Sequence, residues 1–253
     1  MNRIDQVFDK KKKILSIYFT AGFPNLDDTT KIIENLQNSG VDIIEIGLPF
    51  SDPLADGPTI QESSTAALKN GMNTSLLFKQ IKNIRSKISI PLIIMGYFNP
   101  ILQYGVEKFC LDSKISGIDG LIIPDLPIDI YTSTYKNIFE SHNLYNIFLI
   151  TPQTSTDRIL KIDKISKGFI YMVSDSSITG AKNIIDKSQK EYFLRIKKMN
   201  LNNPTIVGFG ISNSETFKLA TNYSDGAIIG SAFISHVKVN GIKKISSFIK
   251  SIR

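Results

Sequence analysis

Eight short apolar runs, each followed by a polar segment with helical spacing, alternate along the whole chain. The predicted strands cover residues 14–21, 42–47, 91–97, 119–124, 145–150, 168–174, 204–210 and 225–230. The predicted helices cover residues 27–39, 74–87, 105–116, 129–142, 156–166, 187–200, 213–221 and 233–252, with an extra helical segment over 58–70. Strands that are apolar throughout indicate a parallel sheet covered by helices.

The number of repeated units favours a closed barrel over an open sheet. Eight strand–helix units within 253 residues fit an α/β fold of the (β/α)₈ TIM-barrel type, here with extra helical segments. A doubly wound open sheet is the alternative, but it usually carries a glycine fingerprint after its first strand, and this chain has TAGFPN there. Since no linker or break in composition divides the chain, we expect one barrel domain over residues 1–253.

Charge and composition narrow the class of protein. The net charge is +7, but the lysines are scattered among acids and no nucleic-acid motif accompanies them, so we expect no nucleic-acid partner. A positive field can assist the capture of an anionic small molecule. The chain contains no apolar run of about 18 residues and begins without the order of a secretory signal, so we expect no membrane contact. The single Cys110 suits a reducing cytoplasm.

Glu45 interrupts the apolar second strand, DIIEIG. Because side chains alternate along a strand, Ile44 and Ile46 share one face and Glu45 occupies the other. Near the carboxyl end of a barrel strand, Glu45 can point into the mouth, where apolar surroundings raise the pKa of a carboxyl and suit it to acid–base catalysis. A structural glutamate, paired with a lysine or with backbone amides, explains the pattern equally well.

The loop after this strand, LPFSDPLADGP, carries Asp52 and Asp56 among prolines and a glycine. A rigid loop restricts an acidic side chain and so helps to position it for catalysis. Taken alone, each residue is better explained as an ordinary turn aspartate, and Asp52 has less to distinguish it than Asp56.

Two glycine-containing loops predict a phosphate site. GFGIS (208–212) follows the seventh strand and GSAFI (230–234) follows the eighth. The loops after these strands hold phosphate in many barrels, and the start of a helix at Ser231 would offer free N–H groups to an anion. The alternative is that Gly208, Gly210 and Gly230 only permit tight turns between strand and helix.

The sixth strand and its loop complete the candidate site. Tyr171 could place a hydroxyl in the barrel mouth, although an ordinary half-buried tyrosine fits the position as well. The long polar loop 174–188, which contains Thr179 and Gly180, is predicted to be a lid. We find no metal-ligand spacing and no nucleophile motif such as GxSxG. The residues thus indicate a barrel enzyme that uses carboxylates on a phosphorylated small substrate.

The segment EIGLPFSDPLADGPTIQ (45–61) closely resembles the signature of the tryptophan synthase alpha chain family. The resemblance extends, in order, through YFTAGFPN, MGYFNPI, PDLP, YMVS, TGA, GFGIS and DGAIIGSA, and so covers essentially the whole chain. It implies a (β/α)₈ barrel that cleaves indole-3-glycerol phosphate to indole and glyceraldehyde 3-phosphate, a retro-aldol reaction in tryptophan biosynthesis.

Carried over onto matching positions, the resemblance assigns the site. Glu45 matches the catalytic glutamate of the family, Asp56 the catalytic aspartate and Tyr171 a supporting tyrosine. The implied phosphate site consists of Gly180, Gly208, Gly210, Gly230 and Ser231, and the implied remaining substrate contacts are Tyr18, Tyr97, Asn99, Asp125, Thr179 and Phe209.

The family also implies a partner. Its members pair with a beta chain that depends on pyridoxal phosphate, and indole passes directly to that chain. An α₂β₂ complex follows, with the loop around Asp52 and Pro53 at the contact. The pyridoxal phosphate belongs to the partner, so we expect no cofactor and no metal in this chain.

Three positions depart from the family pattern. Asp175 stands where arginine is usual, Ser177 where glycine is usual, and Ala66 where an arginine is common. The first two alter the charge and flexibility of the predicted lid.

An active lyase subunit is the leading hypothesis. A subunit that mainly holds or activates its partner, and another phosphate-binding barrel enzyme such as a sugar-phosphate isomerase, are the alternatives.

Overall fold

The computed structural model describes residues 1–10, 13–174, 187–208 and 210–253. Its strands are β1 Ile14–Thr20, β2 Ile43–Gly47, β3 Leu92–Met95, β4 Gly120–Ile122, β5 Tyr145–Ile147, β6 Leu149–Ile150, β7 Ile170–Val173, β8 Thr205–Gly208 and β9 Gly226–Ile229. They form one parallel sheet in the order β5-β4-β3-β2-β1-β9-β8-β7-β6.

The ends of this sheet are two pieces of one predicted strand, 145–150. β5 pairs with β4, β6 pairs with β7, and the chain changes neighbours at Phe148. The Phe148 carbonyl accepts a hydrogen bond from Tyr171 N at 2.9 Å, and its ring packs against Tyr131 with centroids 5.2 Å apart. The strand is therefore interrupted, contrary to the prediction, but the sheet is a nearly closed barrel and the predicted fold class is confirmed.

Helices surround the barrel and connect its strands. They are α1 Arg3–Lys10, α2 Asp28–Asn38, α3 Pro58–Lys69, α4 Thr74–Ile84, α5 Phe98–Tyr104, α6 Val106–Ser116, α7 Ile128–Ile130, α8 Lys136–Ser141, α9 Thr156–Ile165, α10 Lys187–Lys198, α11 Ser214–Ala220, α12 Ser231–Asn240 and α13 Ile245–Ile252. A π-helical turn, Tyr131–Tyr135, joins α7 to α8, and 3₁₀ turns occupy Arg85–Lys87 and Ile242–Lys244. Within the described ranges, every helix is too short or too polar to span a bilayer.

Three features of the helices differ from the prediction. The predicted helix 233–252 is broken at Gly241, which has a φ of 74°, so that it forms α12 and α13. α1 and α5 were not predicted. Ile4 of α1 is fully buried, and a Cβ built on Gly120 or Gly168 would lie 3.0 or 2.9 Å from its side chain. α1 therefore packs its apolar residue against the barrel at the amino-terminal ends of the strands.

Aspartates fasten neighbouring strands at this amino-terminal end. Each lies directly before one strand and accepts a hydrogen bond from a backbone N–H of the first or second residue of the neighbouring strand. The pairs are Asp42 with Leu15 at 2.9 Å, Asp119 with Leu92 at 2.9 Å and Asp225 with Thr205 at 2.8 Å. These contacts satisfy backbone donors where each ladder begins, which leaves the opposite end of the barrel for the candidate site.

Candidate active site

Glu45 is the middle residue of β2, with Tyr18 of β1 and Ile93 of β3 as its ladder neighbours. The residue is fully buried, and Ser16 Oγ donates a hydrogen bond to Oε1 at 2.6 Å. Burial raises the pKa of the carboxyl to about 7, although the Ser16 hydrogen bond opposes this shift. A group with this pKa can exchange a proton at neutral pH.

Asp56 lies in the loop between β2 and α3, which begins at Pro58 after an extended Gly57. Its side chain accepts a hydrogen bond from Tyr97 Oη at 3.2 Å, and its backbone carbonyl accepts one from Gln61 Nε2 at 2.8 Å. Partial burial raises the pKa of the carboxyl to about 6, and the Tyr97 hydrogen bond lowers it. Asp56 is thus held by groups on both sides.

Tyr18 and Tyr171 are buried tyrosines of the barrel interior. Burial raises the pKa of Tyr171 well above its ordinary value, and the charges of Glu45 and Asp56 raise it further. Burial also raises the pKa of Tyr18, followed by the charge of Asp56. The two phenols therefore lie near both carboxyls and remain protonated across the physiological range. A Cβ built on Gly47 would lie 2.2 Å from the Tyr18 hydroxyl oxygen, so a glycine is required there.

The glycine-containing loops lie side by side, because β8 pairs with β9. Gly208 ends β8, and Gly210 follows with a φ of 75°, a conformation that favours glycine. Gly230 directly precedes α12, whose first residue, Ser231, is exposed. The first backbone N–H groups of a helix have no partner within the helix, so the start of α12 can bind an anion. Phe209, Thr179 and Gly180 lie outside the described residues.

The remaining predicted contact residues lie around β3 and β4. Tyr97 is half-buried, and its hydroxyl accepts a hydrogen bond from Ala55 N at 3.0 Å. Asn99 is exposed in α5. Asp125 is also exposed, and its two carboxylate oxygens accept hydrogen bonds from Phe98 N at 2.9 and 3.1 Å. These contacts tie Tyr97 to the Asp56 loop, whereas Asp125 fixes the start of α5.

Ser16 is the polar neighbour of Glu45 that the sequence analysis missed. Ser16, Tyr18 and Thr20 are alternate residues of one buried strand, so they share its inner face. This run of hydroxyls with a period of two was the available signal. The departures Asp175 and Ser177 lie outside the described residues, and Ala66 is partly buried in α3 against the core.

Among the described residues, the polar groups identified around Glu45 are the hydroxyls of Ser16, Tyr18 and Tyr171 and the carboxyl of Asp56. Across the residues that the structure describes, histidine, cysteine, aspartate and glutamate side chains form no group of three or more that could hold a metal ion. What the arrangement offers is proton transfer by Glu45, charge stabilisation by Asp56 and anion binding at the β8 and β9 loops.

Comparison with known proteins identifies the family. Residues 4–251 match the family described as tryptophan synthase alpha chain. The tryptophan synthase alpha chain of Flavobacterium psychrophilum is 65% identical over 252 residues, which cover 100% of both chains. That of Christiangramia forsetii is 62% identical over 253 residues, which cover 100% of this chain and 99% of the relative.

A solved structure shares the fold over nearly its whole length. It is the tryptophan synthase of Mycobacterium tuberculosis, with a TM-score of 0.90, 31% identity, and coverage of 99% of this chain and 96% of that chain. The chain therefore belongs to the tryptophan synthase alpha chain family of lyases, whose reaction is the cleavage of indole-3-glycerol phosphate in tryptophan biosynthesis.

Proposed function

We propose that Glu45 carries the cleavage of indole-3-glycerol phosphate as an acid and a base in turn. The neutral carboxyl gives its proton to indole C3, which makes the ring an indolenine with positive charge at N1. The resulting carboxylate then takes the proton of the hydroxyl on the adjacent glycerol carbon. The C3–carbon bond breaks, its electrons restore the aromatic indole, and the glycerol part leaves as an aldehyde. Glu45 ends protonated, as it began.

One observation carries this proposal: Glu45 is fully buried in the barrel, with Tyr18 as its ladder neighbour and the Ser16 hydroxyl on one of its oxygens. This burial raises the pKa of the carboxyl to about 7. A carboxyl with an ordinary pKa would be ionised at pH 7 and would have no proton to give. Burial in the apolar barrel supplies both the raised pKa and a place for the indole ring.

Asp56 supports the same step from the loop after β2. As a carboxylate it accepts the indole N1–H and stabilises the positive charge that develops there. Its contacts with Tyr97 and Gln61 hold the loop before substrate binds. Tyr171 and Tyr18 line the interior beside the two carboxyls, with Tyr97, Asn99, Asp125, Thr179 and Phe209 as further proposed contacts.

The phosphate of the substrate binds the backbone around Gly208, Gly210, Gly230 and Ser231, together with Gly180. The adjacent carboxyl ends of β8 and β9 and the open start of α12 support this assignment. An anchored phosphate restricts the other end of the substrate, which lowers the entropy lost on reaching the transition state.

The family implies a beta-chain partner, and we propose an α₂β₂ stoichiometry. The loop around Asp52 and Pro53 is the proposed contact. A partner on this loop would cover Leu54, which is 81% exposed. We further propose a single domain over residues 1–253 and a cytoplasmic location, for which the free Cys110 is suited.

The proposal is tested by incubating the purified chain with indole-3-glycerol phosphate, with and without a beta chain, and measuring indole. We expect indole in both mixtures. If neither mixture released indole although the two chains paired normally, the chain would instead be a subunit that holds or activates its partner.

A further inference from the structure

The Ser16 hydroxyl contacts the reacting carboxyl from below. In the register of β1 and β2, Ser16 lies beside Ile43 and Tyr18 lies beside Glu45. The Glu45 side chain therefore leans back by two residues, toward the amino-terminal end of the barrel, to reach Ser16. The contact is short at 2.6 Å, and both residues are fully buried. A hydrogen bond of this length to a carboxyl is among the stronger ones in proteins.

The two oxygens of Glu45 consequently differ. Oε1 accepts the Ser16 hydrogen bond, whereas Oε2 is buried and receives no hydrogen bond from any described residue. An oxygen that accepts a hydroxyl donor is the carbonyl-type oxygen of a neutral carboxyl, so the proton is placed on the other oxygen. An unsatisfied buried polar atom is costly, which suggests that a ligand completes it.

We propose that Ser16 is a positioning residue of the cleavage reaction, which holds Glu45 Oε1 so that Oε2 carries the proton delivered to substrate. This inference rests on the proposed acid–base role of Glu45. Ser16 itself contacts Oε1, not the Oε2 atom that is proposed to carry the proton. Its effect is to fix the carboxyl plane and to select which oxygen faces the substrate.

The same hydrogen bond tunes the proton affinity of Glu45. A donor stabilises the carboxylate more than the neutral acid, so its removal raises the pKa of Glu45 above about 7. The titratable groups that face Glu45 are Tyr18 and Tyr171, which stay protonated, and Asp56 in the loop. Ser16 donates a hydrogen bond to Glu45, whereas the hydrogen-bond donor of the Asp56 side chain is Tyr97. A change at Ser16 therefore shifts the pKa of Glu45 more than the pKa of Asp56.

The test compares Ser16→Val with Ser16→Thr. The two side chains have the same shape and add the same volume to the barrel, but only threonine retains a hydroxyl. We expect Ser16→Val to move the alkaline limb of kcat/KM upward by about one pH unit and to lower kcat by about tenfold, with KM nearly unchanged. Ser16→Thr keeps the limb of the unsubstituted chain.

A control and a second variant keep the test decisive. Ser116 is also buried, and its hydroxyl donates to Asp112 O at 2.7 Å in α6, so Ser116→Ala costs stability without moving the pH profile. If Ser16→Val does not fold, Ser16→Ala replaces it. Equal alkaline limbs for the hydroxyl-free and hydroxyl-bearing variants would overturn the positioning role.

The result is separable from that of the proposed function. If the unsubstituted chain releases indole and the Glu45→Gln variant does not, the acid–base role of Glu45 is supported whatever the Ser16 variants show. A loss of kcat in Ser16→Val with no shift of the alkaline limb would show that Ser16 acts only through packing. That result would overturn the positioning role of Ser16 but not the acid–base role of Glu45.

Discussion

The Tyr171 hydroxyl occupies the space that a side chain at residue 208 would need: a Cβ built on Gly208 would lie 2.1 Å from its oxygen. Two neighbouring strands thus bring a buried phenol against a glycine at the point where β8 ends and the proposed phosphate loop begins. The absence of a side chain at residue 208 lets Tyr171 remain beside Glu45.

This relationship predicts that Gly208→Ala destabilises the protein through overpacking, by about 1–3 kcal/mol. The ring carbons of Tyr171 also lie within 2.5 Å of the built Cβ, so removal of the hydroxyl alone would not relieve the clash. Tyr171→Leu should relieve the clash, so Gly208→Ala should cost much less stability in the Tyr171→Leu background than in the unsubstituted chain. Urea unfolding of the four proteins of the double-mutant cycle measures the coupling. Additive effects would contradict the packing relationship.

The raised pKa values of the two carboxyls predict a narrow bell-shaped pH profile of kcat/KM. Asp56 must be ionised, so activity is lost as the pH falls through its pKa of about 6. Glu45 must be neutral, so activity is lost as the pH rises through its pKa of about 7. Steady-state kinetics across this range measures both limbs, and a profile that keeps rising above the Glu45 value would contradict the assignment.

Tyr97→Phe is expected to narrow the bell from its acidic side. The variant removes the hydroxyl that donates to Asp56, so the pKa of Asp56 rises and the acidic limb moves upward. Tyr104→Phe is the matched control, because its hydroxyl donates to Asp112 on the outside of the barrel at 2.6 Å. A shift of similar size in both variants would show that the effect is not specific to Asp56.

Glu45 also predicts how stability depends on pH. Its folded pKa of about 7 exceeds the ordinary value of 4.5, so between these values the folded chain keeps a proton that the unfolded chain has released. The free energy of unfolding therefore falls as the pH rises through this window, and the loss is complete above about 7. The shift corresponds to roughly 3 kcal/mol.

Glu45→Gln has no such proton to lose. As the pH rises from about 4.5 to about 8, we expect the unfolding free energy of Glu45→Gln minus that of the unsubstituted chain to increase by on the order of 3 kcal/mol. Denaturant unfolding at several pH values measures the difference. Parallel pH dependences for the two proteins would mean that Glu45 titrates normally.

Asp119 is expected to be a major source of stability at the amino-terminal ends of the barrel strands. Its carboxylate accepts hydrogen bonds from Arg3 Nη1 at 2.8 Å, Arg85 Nη2 at 3.1 Å and Leu92 N at 2.9 Å. The Asp119 and Arg85 side chains are only 5% and 10% exposed, so Asp119→Ala leaves a buried guanidinium unpaired and should cost about 3–5 kcal/mol.

Arg3→Ala is the matched control for Asp119. The Arg3 side chain is 42% exposed, so its pair with Asp119 is screened by solvent and its loss should cost much less. Neither variant should change KM, because both residues lie at the amino-terminal ends of the strands, whereas the β8 and β9 loops that are proposed to bind the substrate lie at the carboxyl ends. Urea unfolding and indole kinetics together measure the effects, and an Arg3→Ala cost equal to that of Asp119→Ala would contradict the account.

The barrel was predictable because its strands and helices are local patterns, whereas the missed elements depend on packing. α1 has one fully buried residue, Ile4, and is held by the contact of this residue with the barrel near Gly120 and Gly168. α5 contains Asn99–Pro100, a pair that is typical of turns, although proline is tolerated in the first turn of a helix. Gly241 is the sequence signal for the break between α12 and α13, because glycine commonly ends helices.

The carboxyls of the candidate site were predictable, since an acid in an apolar strand is unusual. What the sequence could not supply was the register of β1 against β2, which decides that Ser16 can reach Glu45. The sequence also could not show that the exposed carboxylate of Asp125 accepts hydrogen bonds from Phe98 N. Contacts between strands become visible only when the ladder is known.

The most direct test of the central claim is the turnover of Glu45→Gln. With indole-3-glycerol phosphate, we expect indole release to fall by at least about 10³-fold while the substrate still binds, because the amide keeps the shape of the side chain but has no proton to exchange. Glu34→Gln, on the outer helix α2, is the control and should remain fully active. Turnover of Glu45→Gln at the rate of the control would contradict the account.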